Sequence, residues 1–240
     1  MASAQLFSDL PLSERLALAR RGTAHYSSQL ALIDAVDFGE PTLLSGWSRA
    51  HLIAHVTYNA AALCNLMHWA RTGEKTPMYA SPDARGKEIE FGATLIPDAL
   101  RNLHDHTVAR LDVAWRDLPE KCWHNQVTTA QGRDVPAEET LWMRSREVWI
   151  HAVDLDVTAG FGDIPEVILR TLLHEIPGKW AGKGTGKDLV LVEEGGRGER
   201  VAVTESATRE VRGSLAGLVR WAAGRGTGGV DTDAEPPRWL

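Results

Sequence analysis

The chain has 240 residues, a length that fits one large domain or two small ones. It carries 26 Lys and Arg against 32 Asp and Glu, a formal net charge of −6, and it contains no basic run. The charge balance therefore argues against nucleic-acid binding by broad phosphate neutralisation. Hydrophobic residues make up 43% and charged residues 24%, which is the composition of a folded globular protein. No uninterrupted apolar stretch of about 18 residues occurs, so we expect no membrane span.

Cysteine content and the N-terminal residues indicate a cytoplasmic protein. The chain begins without the basic start and apolar segment of a secretory signal. Its two cysteines, Cys64 and Cys122, exclude a disulfide framework and a cysteine zinc knuckle, and they fit a reducing cytosol. Neither is expected to be a nucleophile, because Cys64 falls on the helix face opposite His55 and nothing orients Cys122.

The first two thirds of the chain predict helices joined by loops. Apolar residues recur at spacings of three and four, as on helix faces that point into a core. In the second helix, Ser48 is a typical N-cap and Gly73 a typical residue just past the end. The four predicted helices cover residues 11–34, 49–72, 97–118 and 136–160. Residues 75–97 are rich in proline, glycine and charge, and they read as a long functional connection. Four such helices predict a four-helix bundle.

The composition changes after residue 160. A helix is predicted from Pro165 to about Trp180, and a last one from after Ser214 to Gly226. Between them, three short β-branched runs bounded by glycine and charge predict antiparallel strands. The glycine-rich loop at 182–187 lacks the spacing of a phosphate-binding loop. The predicted fold is α+β, with a helix bundle over 1–160 and a smaller C-terminal α/β domain over 161–240.

Two histidine-containing pairs point to a metal site. His51 and His55 lie four apart on the second helix, and Glu147 and His151 lie four apart on the fourth, so each pair shares a helix face. Metal sites in bundles are built from such inward-facing side chains. The apolar stripe includes His55, whereas His51 is one turn nearer the helix end and fits a supporting role. One His with a Glu–His pair gives three ligands, the number that leaves a catalytic zinc one open position.

The supporting residues and the alternatives follow from the same helix faces. Arg144 and Asp154 flank Glu147 and His151 and are candidates for orienting them. Each pair alone is weak evidence, since an i,i+4 pair is often a solvated surface pair, and the motif lacks the general-base glutamate of a metalloprotease. Two such pairs on separate apolar helices favour a metal site. The remaining histidines are interpreted as ordinary core or surface residues: His25, His68, His104, His106, His124 and His174.

Two long motifs resemble the mycothiol-dependent maleylpyruvate isomerases, which belong to the DinB-like group of metal-binding helix bundles. They are SGWSRAHLIAHVTYNAAALCNLMHWARTGEKTPMYASPDAR and LWMRSREVWIHAVDL. Shorter matches, FGDIPEVILRTL, GSLAGLVR, AAGRG and EPPRWL, extend the resemblance over essentially the whole chain. It implies a DinB-like bundle with an added C-terminal α/β domain.

The resemblance also implies the site and its chemistry. Zinc would be held by His55, Glu147 and His151, and an arginine of the small domain, Arg225, would bind substrate or thiol. Arg220 is the nearby competitor for that role. Maleylpyruvate would be isomerised to fumarylpyruvate, in aromatic degradation of the gentisate type, with mycothiol as the thiol cosubstrate. The substrate would lie between the domains.

The implied mechanism is addition of a metal-held thiolate to the cis double bond, rotation about the resulting single bond, and elimination. It needs no cysteine of the protein. We expect a monomer with small-molecule partners only. Candidates for binding the sugar part of the thiol are Tyr58, Asn59, Tyr79 and Arg85.

Two other functions stay open on sequence grounds. A zinc-dependent mycothiol S-transferase acting on other electrophiles would need the same three ligands but no arginine for a dicarboxylate. A non-catalytic metal- or ligand-binding module would need no turnover. A His₂Glu set also accepts manganese or iron, so the sequence alone does not select zinc.

Overall fold

A computed structural model of the chain describes residues 5–239, apart from the side chain of Pro82. The chain forms two compact units. One spans Pro11–Ala159, and the other joins the described residues up to Leu10 to the chain from Gly160 onward. In the N-terminal segment, the buried Phe7 donates its backbone N–H to Thr171 Oγ1 at 2.8 Å. The predicted domains, 1–160 and 161–240, differ from these units because the described residues up to Leu10 group with the C-terminal part of the chain.

The first unit is helical, with one small hairpin. Its helices are α1 (Leu12–Ala31), α2 (Arg49–Thr72), α3 (Pro82–Ala93), α4 (Pro97–Arg116) and α5 (Glu139–Asp154). Strands β1 (Gln126–Thr128) and β2 (Asp134–Pro136) pair antiparallel between α4 and α5. Short 3-10 helices lie at Ala35–Gly39 and Glu120–His124. The predicted helical N-terminal domain is confirmed.

Helix α2 is the centre of this unit. It contacts α3, α4 and α5, and buried residues occupy most of its circumference, as expected of a core helix. Both predicted ends are confirmed. Ser48 Oγ accepts the backbone N–H of His51 at 3.4 Å, and Gly73 adopts a left-handed conformation with φ of 79° that closes the last turn.

Helix α3 lies inside the segment that the sequence predicted to be a connection, so that prediction is wrong in part. Ser81 caps its start by accepting the N–H of Ala84 at 3.2 Å. The helix contains two glycines and shows little apolar periodicity, so the spacing of its apolar residues does not predict a helix. Packing holds it in place: a Cβ added at Gly92 would lie 2.6 Å from the Cβ of Ala54 on α2, so only glycine permits this close approach.

The last helix of the first unit begins later than predicted. Pro136 does not open it but ends strand β2, whose Val135 is buried opposite Val127. The helix α5 starts at Glu139 and ends at Asp154, well before Gly160. The hairpin was missed because its strands are three residues long, too short for the alternation that marks a strand.

The second unit packs two helices with a three-stranded sheet. Its elements are α6 (Glu166–Lys183), β3 (Leu189–Glu193), β4 (Arg200–Ala202), β5 (Arg209–Gly213) and α7 (Leu215–Ala222). The strand order is β4-β3-β5. Strand β3 is antiparallel to β4 but parallel to β5, with Leu191 opposite Val211. The prediction of antiparallel strands is therefore wrong for β3 and β5. Residue composition indicates that a segment is a strand but not the direction in which it runs. Between β4 and β5 the chain passes from one edge of the sheet, across β3, to the other edge.

The helices and the two cysteines agree with the expectations of no membrane span and no disulfide framework, as far as residues 5–239 are concerned. No helix within residues 5–239 combines the length and apolar character needed to cross a membrane. Both cysteines, Cys64 and Cys122, are buried free thiols.

Gly22 in α1 gives a test of how the helices pack. A Cβ at this position would lie 2.5 Å from Trp149 Nε1 and 2.7 Å from Val148 Cγ2 on α5. Helix propensity alone would make Gly22→Ala stabilising by up to about 1 kcal/mol. We expect the clash to prevail and the free energy of unfolding to fall by about 1–3 kcal/mol, measured by urea titration. Gly178→Ala in α6, where an added Cβ meets no atom within 4 Å, is the matched control and should not destabilise.

Candidate metal centre

The side chain of Glu147 lies between two histidines. Its Oε2 atom is 2.8 Å from His55 Nε2 and 3.2 Å from His151 Nε2. One ligand atom from each of the three residues lies within 4.8 Å of the other two. The imidazole rings of His55 and His151 are 5.1 Å apart and nearly perpendicular. The structure thus brings together the three residues predicted as metal ligands.

Two buried helices hold this cluster. His55 lies on the buried surface of α2, and Glu147 and His151 are one turn apart on α5, so that their side chains project from the same face. The side chains keep only 7%, 16% and 13% of their surface exposed, for His55, Glu147 and His151 respectively. The indole of Trp47 packs edge-on against the His55 ring, with 5.4 Å between ring centres. The cluster is therefore largely buried, but each of its side chains keeps a small solvent-exposed surface.

Asp154 orients His151. Its Oδ2 atom is 2.8 Å from His151 Nδ1, and its side chain is fully buried. A carboxylate at Nδ1 fixes the ring and directs the lone pair of Nε2 toward the cluster, the arrangement found behind metal-binding histidines. Asp154 was predicted to orient the cluster residues. In the structure it lies one turn beyond His151 on α5, with its carboxylate at the second ring nitrogen.

Burial and hydrogen bonds set the protonation of the cluster in opposite ways. Burial tends to raise the pKa of Glu147, but hydrogen bonds from His151 and His55 prevail and hold it well below the usual value. Burial tends to lower the pKa of His151, yet Asp154 and Glu147 raise it to about 9. For His55, burial dominates and the pKa is lowered. At neutral pH the cluster contains a carboxylate, one imidazolium and one neutral imidazole.

The donor set fits a divalent metal. With metal–nitrogen bonds of about 2.0–2.1 Å, the ligand atoms of a tetrahedral ion lie roughly 3.3 Å apart. The separations of 2.8 Å and 3.2 Å between Glu147 Oε2 and the two Nε2 atoms are close to that value. Two imidazole nitrogens and a carboxylate oxygen match catalytic zinc and leave a fourth position for a thiol or water. These three side chains therefore could hold zinc.

The other two predicted supporting residues, His51 and Arg144, make hydrogen bonds to groups outside the cluster. His51 Nδ1 lies 2.7 Å from Ser48 Oγ, and its Nε2 lies 3.7 Å from Glu90. Arg144 is fully buried, and its Nη1 donates to Val56 O at 2.7 Å and to Asn59 Oδ1 at 3.0 Å. Arg144 therefore ties α5 to α2 without a hydrogen bond to Glu147 among the described residues. Burial lowers the pKa of Arg144 to about 10, so it stays charged at neutral pH.

Two contacts of the cluster were not assigned by sequence reasoning. Trp47, adjacent to the Ser48 cap, packs on His55. Arg85, on α3, places Nη2 at 3.3 Å from His55 Nδ1. The sequence named Arg85 and Tyr79 only as candidates for sugar binding, because helix α3 was not predicted. Among the other candidates for sugar binding, Asn59 accepts a hydrogen bond from Arg144 through its Oδ1 atom.

Arg225 lies in the second unit, just beyond α7. It is half-buried, and it donates from Nη1 to the carbonyl of Ala223. Its own carbonyl accepts Arg220 Nε at 2.8 Å. A Cβ at Gly228 would lie 2.3 Å from Arg220 Nη1, so the side chain of Arg220 fills the inside of this loop. That contact gives Arg220 a structural role in this loop.

The raised pKa of His151 predicts a pH-dependent metal affinity. Below about pH 9 the imidazole carries a proton, and a metal must displace it. We therefore expect the zinc affinity to fall up to tenfold for each pH unit between pH 8.5 and 6.5, measured by competition with a chelator. An affinity that is constant over this range would contradict the protonation of His151.

Replacing the orienting carboxylate tests its role. We expect Asp154→Asn to weaken zinc binding about 10–100-fold and to flatten the pH dependence, because the pKa of His151 should return toward its ordinary value. Isothermal titration with zinc measures both effects. Asp105→Asn, an exposed substitution on α4, should bind zinc as the unaltered chain does.

Comparison with known proteins agrees with this geometry. Residues 19–156 match the family model of the mycothiol maleylpyruvate isomerase N-terminal domain. Two solved structures, a mycothiol-dependent maleylpyruvate isomerase and a histidine-to-alanine variant of one, are each 63% identical to the chain. Each match covers 98% of this chain and 100% of the other, with a TM-score of 0.94. No curated protein sequence matches significantly. The chain belongs to the mycothiol-dependent maleylpyruvate isomerase family.

Proposed function

We propose that the protein catalyses the mycothiol-dependent isomerisation of maleylpyruvate to fumarylpyruvate. The observation that carries the proposal is the cluster of His55, Glu147 and His151, whose ligand atoms lie within 4.8 Å of one another. The cluster belongs to a chain 63% identical, over 98% of its length, to a structure described by that activity. The reaction would serve aromatic degradation of the gentisate type.

The reaction needs a nucleophile that adds and leaves again. The thiolate sulfur of mycothiol forms a bond to one carbon of the cis double bond, and the π electrons move to the neighbouring ketone oxygen as an enolate. The former carbon–carbon double bond is now single, and rotation about it follows. The enolate then restores the double bond in the trans form and expels the thiolate. No atom or electron is gained or lost overall.

His55, Glu147 and His151 would hold zinc, which when bound keeps the thiol of the cosubstrate deprotonated. The protein supplies the surroundings of that thiolate. Buried helices and the ring of Trp47 keep most water away from His55, which preserves the reactivity of a charged sulfur. Glu147 stays ionised because its pKa is held low, and it therefore remains a ligand across the physiological pH range.

An arginine would bind the charged substrate. We assign Arg225 to a substrate carboxylate or to the developing enolate, since a guanidinium offers two parallel donors to either group. We also place the protein in the cytoplasm, because its buried cysteines are free thiols, as in a reducing compartment. We propose that it works as a monomer with small-molecule partners and no nucleic acid.

The direct test is an assay of maleylpyruvate turnover with zinc-loaded protein. We expect fumarylpyruvate formation only in the presence of mycothiol, and a loss of at least 10³-fold in His55→Ala, because two ligands hold a metal poorly. A metal-free preparation with full activity would contradict the proposal. Conjugation of mycothiol to other electrophiles without isomerisation would favour an S-transferase instead.

Arg225→Ala tests the substrate arginine. We expect kcat/KM for maleylpyruvate to fall 10²–10³-fold, in line with about 3–4 kcal/mol for a charge-assisted contact to a reacting group, while zinc content stays at one ion per chain. Arg197→Ala, in the same unit and 54% exposed in its side chain, is the control and should keep full activity. Full activity of Arg225→Ala would remove this residue from the mechanism.

A further inference from the structure

The two histidines of the cluster have opposite neighbours at their second ring nitrogen. His151 Nδ1 faces the carboxylate of Asp154 at 2.8 Å. His55 Nδ1 faces the guanidinium of Arg85 at 3.3 Å. A carboxylate only accepts hydrogen bonds, and a guanidinium only donates them. The two rings are therefore not equivalent as metal ligands.

This difference matters once Nε2 of each ring is used for a metal. A neutral imidazole that binds through Nε2 carries its proton on Nδ1, which then becomes a donor. Asp154 accepts the proton of His151. Beside His55, the Nδ1–H and the Arg85 guanidinium are both donors, so neither satisfies the other. An acceptor placed between them would satisfy both.

The surroundings of Arg85 leave it available for such an acceptor. It is exposed, one turn into α3, and it makes no ion pair with a carboxylate within residues 5–239. The hydroxyl of Tyr79 lies against the same guanidinium. Within residues 5–239, Arg85 is thus an exposed cation in no ion pair with a carboxylate, and its guanidinium lies next to the metal-ligand histidine His55.

We propose that Arg85 and the Nδ1–H of His55 form a carboxylate-binding subsite at the metal centre. One oxygen of a carboxylate would accept from His55 Nδ1, and the guanidinium would bind the group in its bidentate manner. The identity of the ligand rests on the proposed function: it is a carboxylate of the dicarboxylate substrate. Arg85 thereby selects acidic substrates and fixes one end of the molecule beside the reacting thiolate, in the same unit as the metal ligands.

The test is binding of maleate, a cis-dicarboxylate, to zinc-loaded protein without turnover, followed by isothermal titration. We expect Arg85→Ala to raise the Kd for maleate at least tenfold, with unchanged zinc content and thermal midpoint. Arg85→Lys should restore binding in part, since it keeps the charge but not the paired donors. Arg110→Ala removes an exposed arginine of α4 and should bind maleate as the unaltered chain does. Dimethyl maleate, which has no charge, should not bind detectably.

The outcomes separate this subsite from the proposed function. Equal maleate affinity in Arg85→Ala and the unaltered chain, or no saturable maleate binding at all, overturns the subsite even if isomerisation is observed. Maleate binding that depends on Arg85 in a protein with no isomerase activity overturns the proposed function and leaves the subsite standing. With both in place, the KM for maleylpyruvate should rise at least tenfold in Arg85→Ala.

Discussion

One carboxylate oxygen between two imidazoles organises the first unit. Glu147 Oε2 lies within 2.8 Å of a histidine on α2 and 3.2 Å of one on its own helix, α5. These groups are almost completely removed from water, and an ionised carboxylate in that position is costly unless it is paired or binds a metal. The position of α5 against α2 is therefore tied to the protonation or metal binding of three side chains.

The rest of the polar interior supports this arrangement. Arg144, fully buried, donates to a backbone carbonyl and to Asn59 on α2, which fixes the depth at which α5 packs. His104 makes hydrogen bonds with Ser27 at 2.9 Å and Thr57 at 3.4 Å, and burial together with Arg144 lowers its pKa to about 3. His104 thus stays neutral, and the buried cation beside it is Arg144.

The clustering of His55, Glu147 and His151 could be predicted from the sequence because helical spacing is strict. Two residues four apart share a face, and the apolar stripe of α2 identified His55 rather than His51 as the inward one. Helix α3 could not be predicted, since its glycines and charges give no periodic pattern and its stability comes from packing on α2. Arg85 was therefore predicted only as a candidate for sugar binding, because its place beside His55 depends on where α3 docks. The parallel pairing of β3 and β5 was missed for a similar reason, because strand direction is decided by tertiary contacts.

The burial of Cys64 explains why the nucleophile has to come from outside the chain. Burial raises the pKa of the Cys64 thiol, so it stays protonated at neutral pH and is a poor nucleophile. It also lines a cavity between α2 and α4, with Met67 and Ala109, on the side of α2 opposite His55. The cluster of His55, Glu147 and His151 is the reverse kind of environment, because a metal held there would keep a bound thiol deprotonated. A small-molecule thiol would be free to reach such a metal, whereas Cys64 is held on the opposite face of α2.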